Sequence, residues 1–232
     1  MAIVVVGTTD EVESEGFDRT SLRLPGDQDD LVRAVLAANP NTVVVVNSGA
    51  PVLIPCLDEV PAVLLTWFPG QEFGAALADV LFGVAEPGGR LPVTWPADEP
   101  AWLPTGVSDN GALRYAESVN IGYRRWDQVG ALPAFCFGHG LGYTSWEYLE
   151  LALPASAGDA GRDAGDVTVR VSVRNTGARA GREVVQVYAS RPDSAVTRPA
   201  RWLVGFAPVE AGTGATEKVK VTVTCRAKKK KK

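Results

Sequence analysis

Residues 8–19, Thr-Thr-Asp-Glu-Val-Glu-Ser-Glu-Gly-Phe-Asp-Arg, hold five carboxylates and one arginine. Carboxylates this close raise one another's pKa, and a carboxylic acid so raised can donate a proton near neutral pH. The same composition also describes a solvated acidic loop, and the residues alone leave both readings open. Gly16 lets the backbone approach a ligand closely. Arg19 could hold Asp18 in place or fix a hydroxyl. Asp10, Glu11 and Glu13 could hold a cation, but nothing in their spacing specifies one. No metal and no cofactor is expected.

Two other chemistries compete. Ser48 follows a strand-like run in Val46-Asn47-Ser48-Gly49, a fitting place for a nucleophile, and His139 is the single histidine and so the only imidazole base. An esterase-type hydrolase built on Ser48 and His139 is one alternative, although the G-x-S-x-G elbow is absent. Trp67, Trp95, Trp102 and Trp126 could instead stack on sugar rings in a non-catalytic carbohydrate-binding or assembly module. Filling a core is the favoured role for them. Cys56, Cys136 and Cys225 lie far apart and odd in number, without a C-x-x-C pair, and read as buried, reduced thiols. Gly138-x-Gly140-x-Gly142 is not a dinucleotide-binding pattern, and no P-loop occurs.

The acidic loop needs a scaffold, and the first 95 residues supply one. Ile3-Val4-Val5-Val6 reads as a buried strand ending at Gly7. Asp27 is the expected N-cap of a helix over 28–38, with Leu31, Val35 and Ala38 on its apolar face and Leu36 beside them. Thr42–Val46 and Ala62–Trp67 are further strands. A second helix is expected over 71–82, with Phe73, Leu77, Val80 and Leu81 as its stripe and Gly83 closing it. Strands alternating with helices predict a parallel sheet. In open α/β sheets, ligands bind at the carboxyl ends of the strands, where residues 8–19 fall. Residues 86–143 read as ordered loop. Residues 154–166 are small and polar and read as flexible. Beyond them the apolar period becomes two, with strands at 147–151, 167–173, 184–188 and 219–223, a pattern of β-sandwiches.

The formal charge of −4 conceals an acidic body. Arg226 and Lys228–Lys232 supply six of the 23 basic residues, leaving 17 against 27 acidic ones. That body argues against nucleic acid as a partner. No run approaches the roughly 20 apolar residues that span a bilayer. Met1–Val6 has no charged leader region, which favours a cytoplasmic over a secreted location.

A resemblance emerges from many motifs in one order. Ser14-Glu15-Gly16-Phe17-Asp18-Arg19, Asn39-Pro40-Asn41-Thr42, Gly49-x-Pro51-Val52, Pro69-Gly70-Gln71-Glu72 and Pro87-x-Gly89-Arg90-Leu91-Pro92 resemble glycoside hydrolase family 3, its β-glucosidases in particular. So does Phe137-Gly138-His139-Gly140-Leu141-x-Tyr143. Asn175-Thr176-Gly177, Gly181-x-Glu183-Val184-Val185 and Arg198-Pro199 resemble that family's fibronectin type III-like domain.

The resemblance implies a fold of class α/β: a partial parallel-sheet α/β sandwich over 1–145, then an incomplete all-β immunoglobulin/fibronectin III-like sandwich over 146–224. Residues 225–232 are expected to be a basic tail without structural role. It implies retaining hydrolysis of a β-glucoside or oligosaccharide by two carboxylates about 5–5.5 Å apart. Glu15 matches the family's general acid/base, with Glu13 as its nearest competitor and Asp18 and Arg19 as supports of the loop or sugar site. The family draws its nucleophile from a preceding (β/α)8 barrel that these residues do not contain, so the isolated chain is expected to be inactive or nearly so. Gly142 stands where the family usually has serine. Open sheet edges and exposed apolar faces predict a homo-oligomer.

Overall fold

The computed structural model describes residues 1–17, 19–99, 111–112, 115–154 and 166–224. Asp18, Trp102, most of the small polar segment and the tail from Cys225 lie outside the described residues, together with the expectations placed on them. The chain forms two compact units. The first draws on Met1–Ala76, Val93–Ser118 and Val129–Phe137, and the second on Leu77–Pro92, Val119–Gln128 and the residues from Gly138 onward.

In the first unit, β1 (Ala2–Gly7), β2 (Thr42–Asn47) and β3 (Ala62–Leu65) pair in parallel in the order β1-β2-β3. Val4 lies opposite Val44, and Val45 opposite Leu64. Consecutive Val44, Val45 and Val46 are all buried, as a central parallel strand covered on both faces requires. β1 departs from the expected buried strand. Val4 and Val6 are buried, but Ile3 is 43% exposed and Val5 52%. Successive side chains point to opposite faces, and nothing among the described residues covers the outer face of this edge strand.

Helix α1 runs from Gln28 to Ala38, as its apolar spacing predicts, and packs on β1 and β2. Asp27 stands at the N-cap position, yet its side chain makes no capping hydrogen bond. Gln28 fastens this corner instead. Its Oε1 accepts the Gly7 amide proton at 2.8 Å, and its Nε2 donates to the carbonyls of Gly7 and Pro25, each at 2.9 Å. The buried face is also one residue out of phase with expectation: Val32 is buried, whereas Leu31 is exposed. A short apolar run at a period of 3.6 fits two adjacent phases, and packing on the sheet selects one. Trp95 fills this unit's core. It is 1% exposed, its Nε1 donates to the Val52 carbonyl at 2.6 Å, and its ring meets Trp67 edge-on with centroids 5.6 Å apart. Cys56 is buried, which pushes its thiol pKa up, whereas Cys136 is exposed against expectation.

Helix α2 spans Phe73–Leu81, shorter than expected at both ends, and Gly83 closes it in the left-handed region with φ 72°. Helix α3 (Tyr123–Val129) was not expected within a stretch read as loop. In the second unit, β4 (Trp146–Ala152), β5 (Val167–Asn175) and β8 (Thr216–Val223) form one antiparallel sheet. β6 (Gly181–Ala189) and β7 (Trp202–Ala211) form another. Val169, Val171, Val173, Val185, Val219 and Val221 make the core between them. β7 carries Gly205 and Pro208, residues depleted in strands, so its propensity concealed it. Asn175 organises the turn after β5. Its Nδ2 donates to the carbonyls of Arg179 and Ala211, and its Oδ1 accepts from Thr144 Oγ1 and the Gly177 amide.

Candidate active site

The loops after β1, β2 and β3 emerge at one edge because the three strands run parallel. The acidic loop is tied to its own strand and to its neighbour. The Thr8 amide donates to the Asn47 carbonyl at 3.0 Å, and the amides of Val12 and Glu13 turn back onto the Thr9 carbonyl. Glu13 then reaches inward. Its Oε2 accepts the Thr8 hydroxyl proton at 2.5 Å and the Gly49 amide proton at 3.2 Å. Gly49 makes that approach possible. A Cβ there would lie 2.5 Å from Glu13 Oε1 and 2.6 Å from Phe68 Cε2.

Two residues on, the chain reverses. Ser14 and Phe17 form a β-bridge, and the Gly16 amide donates to Ser14 Oγ at 3.0 Å. Glu15 occupies the tip of this turn, exposed, and makes no hydrogen bond or ion pair to any described residue. The two candidate glutamates therefore differ in kind. The Glu13 carboxylate is engaged with its own scaffold, while Glu15 is exposed and has no partner among the described residues.

Arg19 braces the returning strand of the loop. Its Nε donates to the Ser21 carbonyl at 2.7 Å and Nη2 to the Arg23 carbonyl at 3.1 Å, while Nη1 is buried without a partner among the described residues. Any pairing of Arg19 with Asp18 lies outside those residues. Glu99, unmarked by any sequence pattern, continues the brace. Its Oε1 accepts from the Ser21 hydroxyl and the Leu22 amide, and these bonds hold its carboxyl below the usual pKa range. Thr8 and Gly49 were missed as well. A hydroxyl directly after a strand and a glycine in the neighbouring strand's exit loop are the only signals the sequence carries for them.

Ser48 is buried, and its hydroxyl donates to the Ala50 carbonyl at 2.8 Å. That bond stabilises the turn after β2. His139 belongs to the second unit, in a turn built by backbone bonds. The Leu91 amide donates to the His139 carbonyl and the Gly138 amide to the Leu91 carbonyl, both at 2.8 Å. Gly138 has φ 81°, and Gln186 Nε2 donates to its carbonyl at 3.0 Å. Burial and then the nearby Arg90 guanidinium push the His139 imidazole below its ordinary pKa, so it is neutral at pH 7. Among the described residues no group of three or more His, Cys, Asp or Glu is placed to hold a metal ion.

The model of the glycosyl hydrolase family 3 C-terminal domain matches residues 1–143, and that of a fibronectin type III-like domain matches 183–228. Residues between these matches include β4 and β5, which pair with β8 in one sheet. A β-glucosidase of Rhizobium radiobacter is 43% identical over 226 residues, covering 93% of this chain and 27% of that protein. A probable β-glucosidase I of Neosartorya fischeri is 41% identical over 225 residues, again 27% of its length. Among solved structures, a Kluyveromyces marxianus β-glucosidase in complex with glucose superposes with a TM-score of 0.85 at 39% identity. It covers 96% of this chain and 26% of its own. A Streptomyces venezuelae β-glucosidase in complex with D-glucose gives 0.85 at 38%, covering 96% and 28%. The chain thus spans about a quarter of the length of the relatives it matches. By this likeness along nearly its whole length, the chain belongs to glycosyl hydrolase family 3, with that family's C-terminal domain followed by a fibronectin type III-like domain.

Proposed function

We propose that Glu15 is the general acid/base of a retaining β-glucosidase site whose nucleophile comes from outside these 232 residues. The observation that carries this is the contrast between Glu15, exposed at the tip of the loop after β1, and Glu13, bound to Thr8 and Gly49. In the first step the external carboxylate attacks the anomeric carbon while the Glu15 carboxylic acid gives its proton to the departing glycosidic oxygen. In the second, the Glu15 carboxylate takes a proton from water as its oxygen attacks the same carbon and the external carboxylate leaves. Asp18 and Arg19 support the loop or the sugar. The substrate is a β-glucoside or oligosaccharide, since the relatives are β-glucosidases and the two solved ones named above hold glucose.

The chain alone should leave an aryl β-glucoside intact. When the nucleophile-bearing part is supplied, Glu15→Gln should abolish hydrolysis of alkyl glucosides and azide should restore turnover of aryl ones. Robust hydrolysis by the 232 residues alone, lost in Glu15→Gln, would overturn the external nucleophile. Unchanged hydrolysis in Glu15→Gln would overturn the assignment of the acid/base.

The exposed Ile3 and Val5 on β1 support self-association as a further proposal about partners. Among the described residues no helix is long and apolar enough to cross a membrane.

A further inference from the structure

The acidic loop leaves β1, turns at Glu15 and returns through residues 19–23 toward α1. Each limb is fastened by a single carboxylate oxygen, and both fastenings have the same form. On the outgoing limb, Glu13 Oε2 accepts from the Thr8 hydroxyl and the Gly49 amide. On the returning limb, Glu99 Oε1 accepts from the Ser21 hydroxyl and the Leu22 amide, the latter at 2.9 Å. Hydrogen bonds to an ionised acceptor are about twice as strong as neutral ones.

Glu99 is itself exposed, and its position comes from the frame beside it. Just before it in the chain, Trp95 is buried, donates its Nε1 proton to the Val52 carbonyl and exchanges backbone bonds with Phe135. Leu53, which follows Val52, donates its amide to the Leu22 carbonyl at 2.8 Å. Leu22 is therefore held at both backbone groups, by Leu53 at its carbonyl and by Glu99 at its amide. Other contacts secure the same limb. Arg19 Nε donates to the Ser21 carbonyl, the Arg23 amide donates to Ser21 Oγ, and Arg23 Nη2 pairs with Asp29 of α1 at 3.1 Å. The bonds from Ser21 and then Leu22 hold the Glu99 carboxyl below its usual pKa.

We propose that Glu99 is a positioning residue of this site: by fixing the returning limb, as Glu13 fixes the outgoing one, it holds Glu15 where its proton reaches the departing oxygen. This rests on the reading of Glu15 as acid/base. A general acid must lie within hydrogen-bond reach of the atom it protonates, and a misplacement of about 1 Å costs about 10²-fold in rate. Leu53 still holds the limb when Glu99 is removed, so the loss is smaller than that limit.

Hydrogen exchange on the 232-residue chain reads the clamp. Glu99→Ala should speed exchange of the Leu22 and Gly16 amides about tenfold and leave the Val44 and Val45 amides of β2 unchanged. Glu99→Gln keeps an acceptor at Oε1 and should restore most of the protection. Unchanged exchange at Leu22 and Gly16, or equal acceleration in β2, would overturn the proposal. With the nucleophile-bearing part supplied, the leaving group reads the function. Phenolate needs a proton to depart, whereas 2,4-dinitrophenolate leaves without one. Glu99→Ala should lower kcat/KM about tenfold for phenyl β-D-glucoside and about twofold or less for the dinitrophenyl compound. Glu99→Gln should recover the phenyl glucoside, and Glu15→Gln should show the same dependence more steeply. Equal losses on both substrates in Glu99→Ala, with a steep dependence in Glu15→Gln, would sink the positioning role and leave the acid/base. No leaving-group dependence in Glu15→Gln would overturn the acid/base and the positioning role with it, whatever the exchange rates show.

Discussion

The Glu13 carboxylate accepts the Gly49 amide proton at 3.2 Å, so the acidic loop after β1 is fastened to the loop after β2 across 36 positions of sequence. Its other partner, the Thr8 hydroxyl, lies at the root of its own loop. One carboxylate thereby fixes where the following turn, with Glu15 at its tip, is held.

Gly49→Ala should disturb that arrangement directly. The added methyl would meet both the Glu13 carboxylate and the Phe68 ring at distances well inside contact. Overpacking of this kind costs about 1–3 kcal/mol. Urea denaturation should show a lower midpoint at unchanged slope, and an unaltered midpoint would mean that the loop yields freely.

Glu13 and Glu15 should separate cleanly in stability. Glu13→Ala removes an acceptor from Thr8 and Gly49 and should cost about 1–2 kcal/mol. Glu15→Gln changes an exposed group without a described partner and should stay within about 0.5 kcal/mol of the unmodified chain. Comparable losses in both variants, measured by thermal or urea unfolding, would contradict the division of roles drawn from their contacts.

His139 should make the fold acid-sensitive in a defined direction. Burial and Arg90 depress its folded pKa below the unfolded value of about 6.5. The unfolded chain then binds the proton more readily. The stability linked to this group is complete above about pH 6.5 and is lost as pH falls toward and through the folded pKa. His139→Gln should flatten the stability profile between pH 7.5 and 5.5. An equally steep decline in that variant would assign the acid sensitivity to other groups.

Self-association should follow from the uncovered face of β1. Sedimentation velocity should show species above the monomer that grow with concentration. Ile3→Lys with Val5→Lys should shift the population to monomer without unfolding the sheet, since both side chains point away from the core. A monomer at every concentration would dispose of the proposal.

Much of this molecule is legible in short-range pattern. Helix α1 spans the residues its apolar period demands, β2 is recognisable from five consecutive β-branched residues, and the alternating valines of β5 and β8 announce their sheet. Each of these signals lies within one element, where side-chain period and backbone geometry are the same fact. Membership of the family is legible for a related reason, because its motifs mark turns and loop approaches that admit few residue types.

Other features depended on partners far along the chain. Gly205 and Pro208 hid β7, which gains its place by pairing with β6. The phase of α1 was settled by the sheet beneath it, which took Val32 inward and left Leu31 out. The carboxylates of residues 8–19 are alike in composition. Only folding gave Glu13 the Thr8 hydroxyl and the Gly49 amide, and left Glu15 at an open tip. The sequence by itself determined most of the elements, α3 and β7 excepted, and the family they belong to. The tertiary structure decided which face of each element is buried and which glutamate is tied to the neighbouring strand's loop, because both depend on contacts between residues distant in the chain.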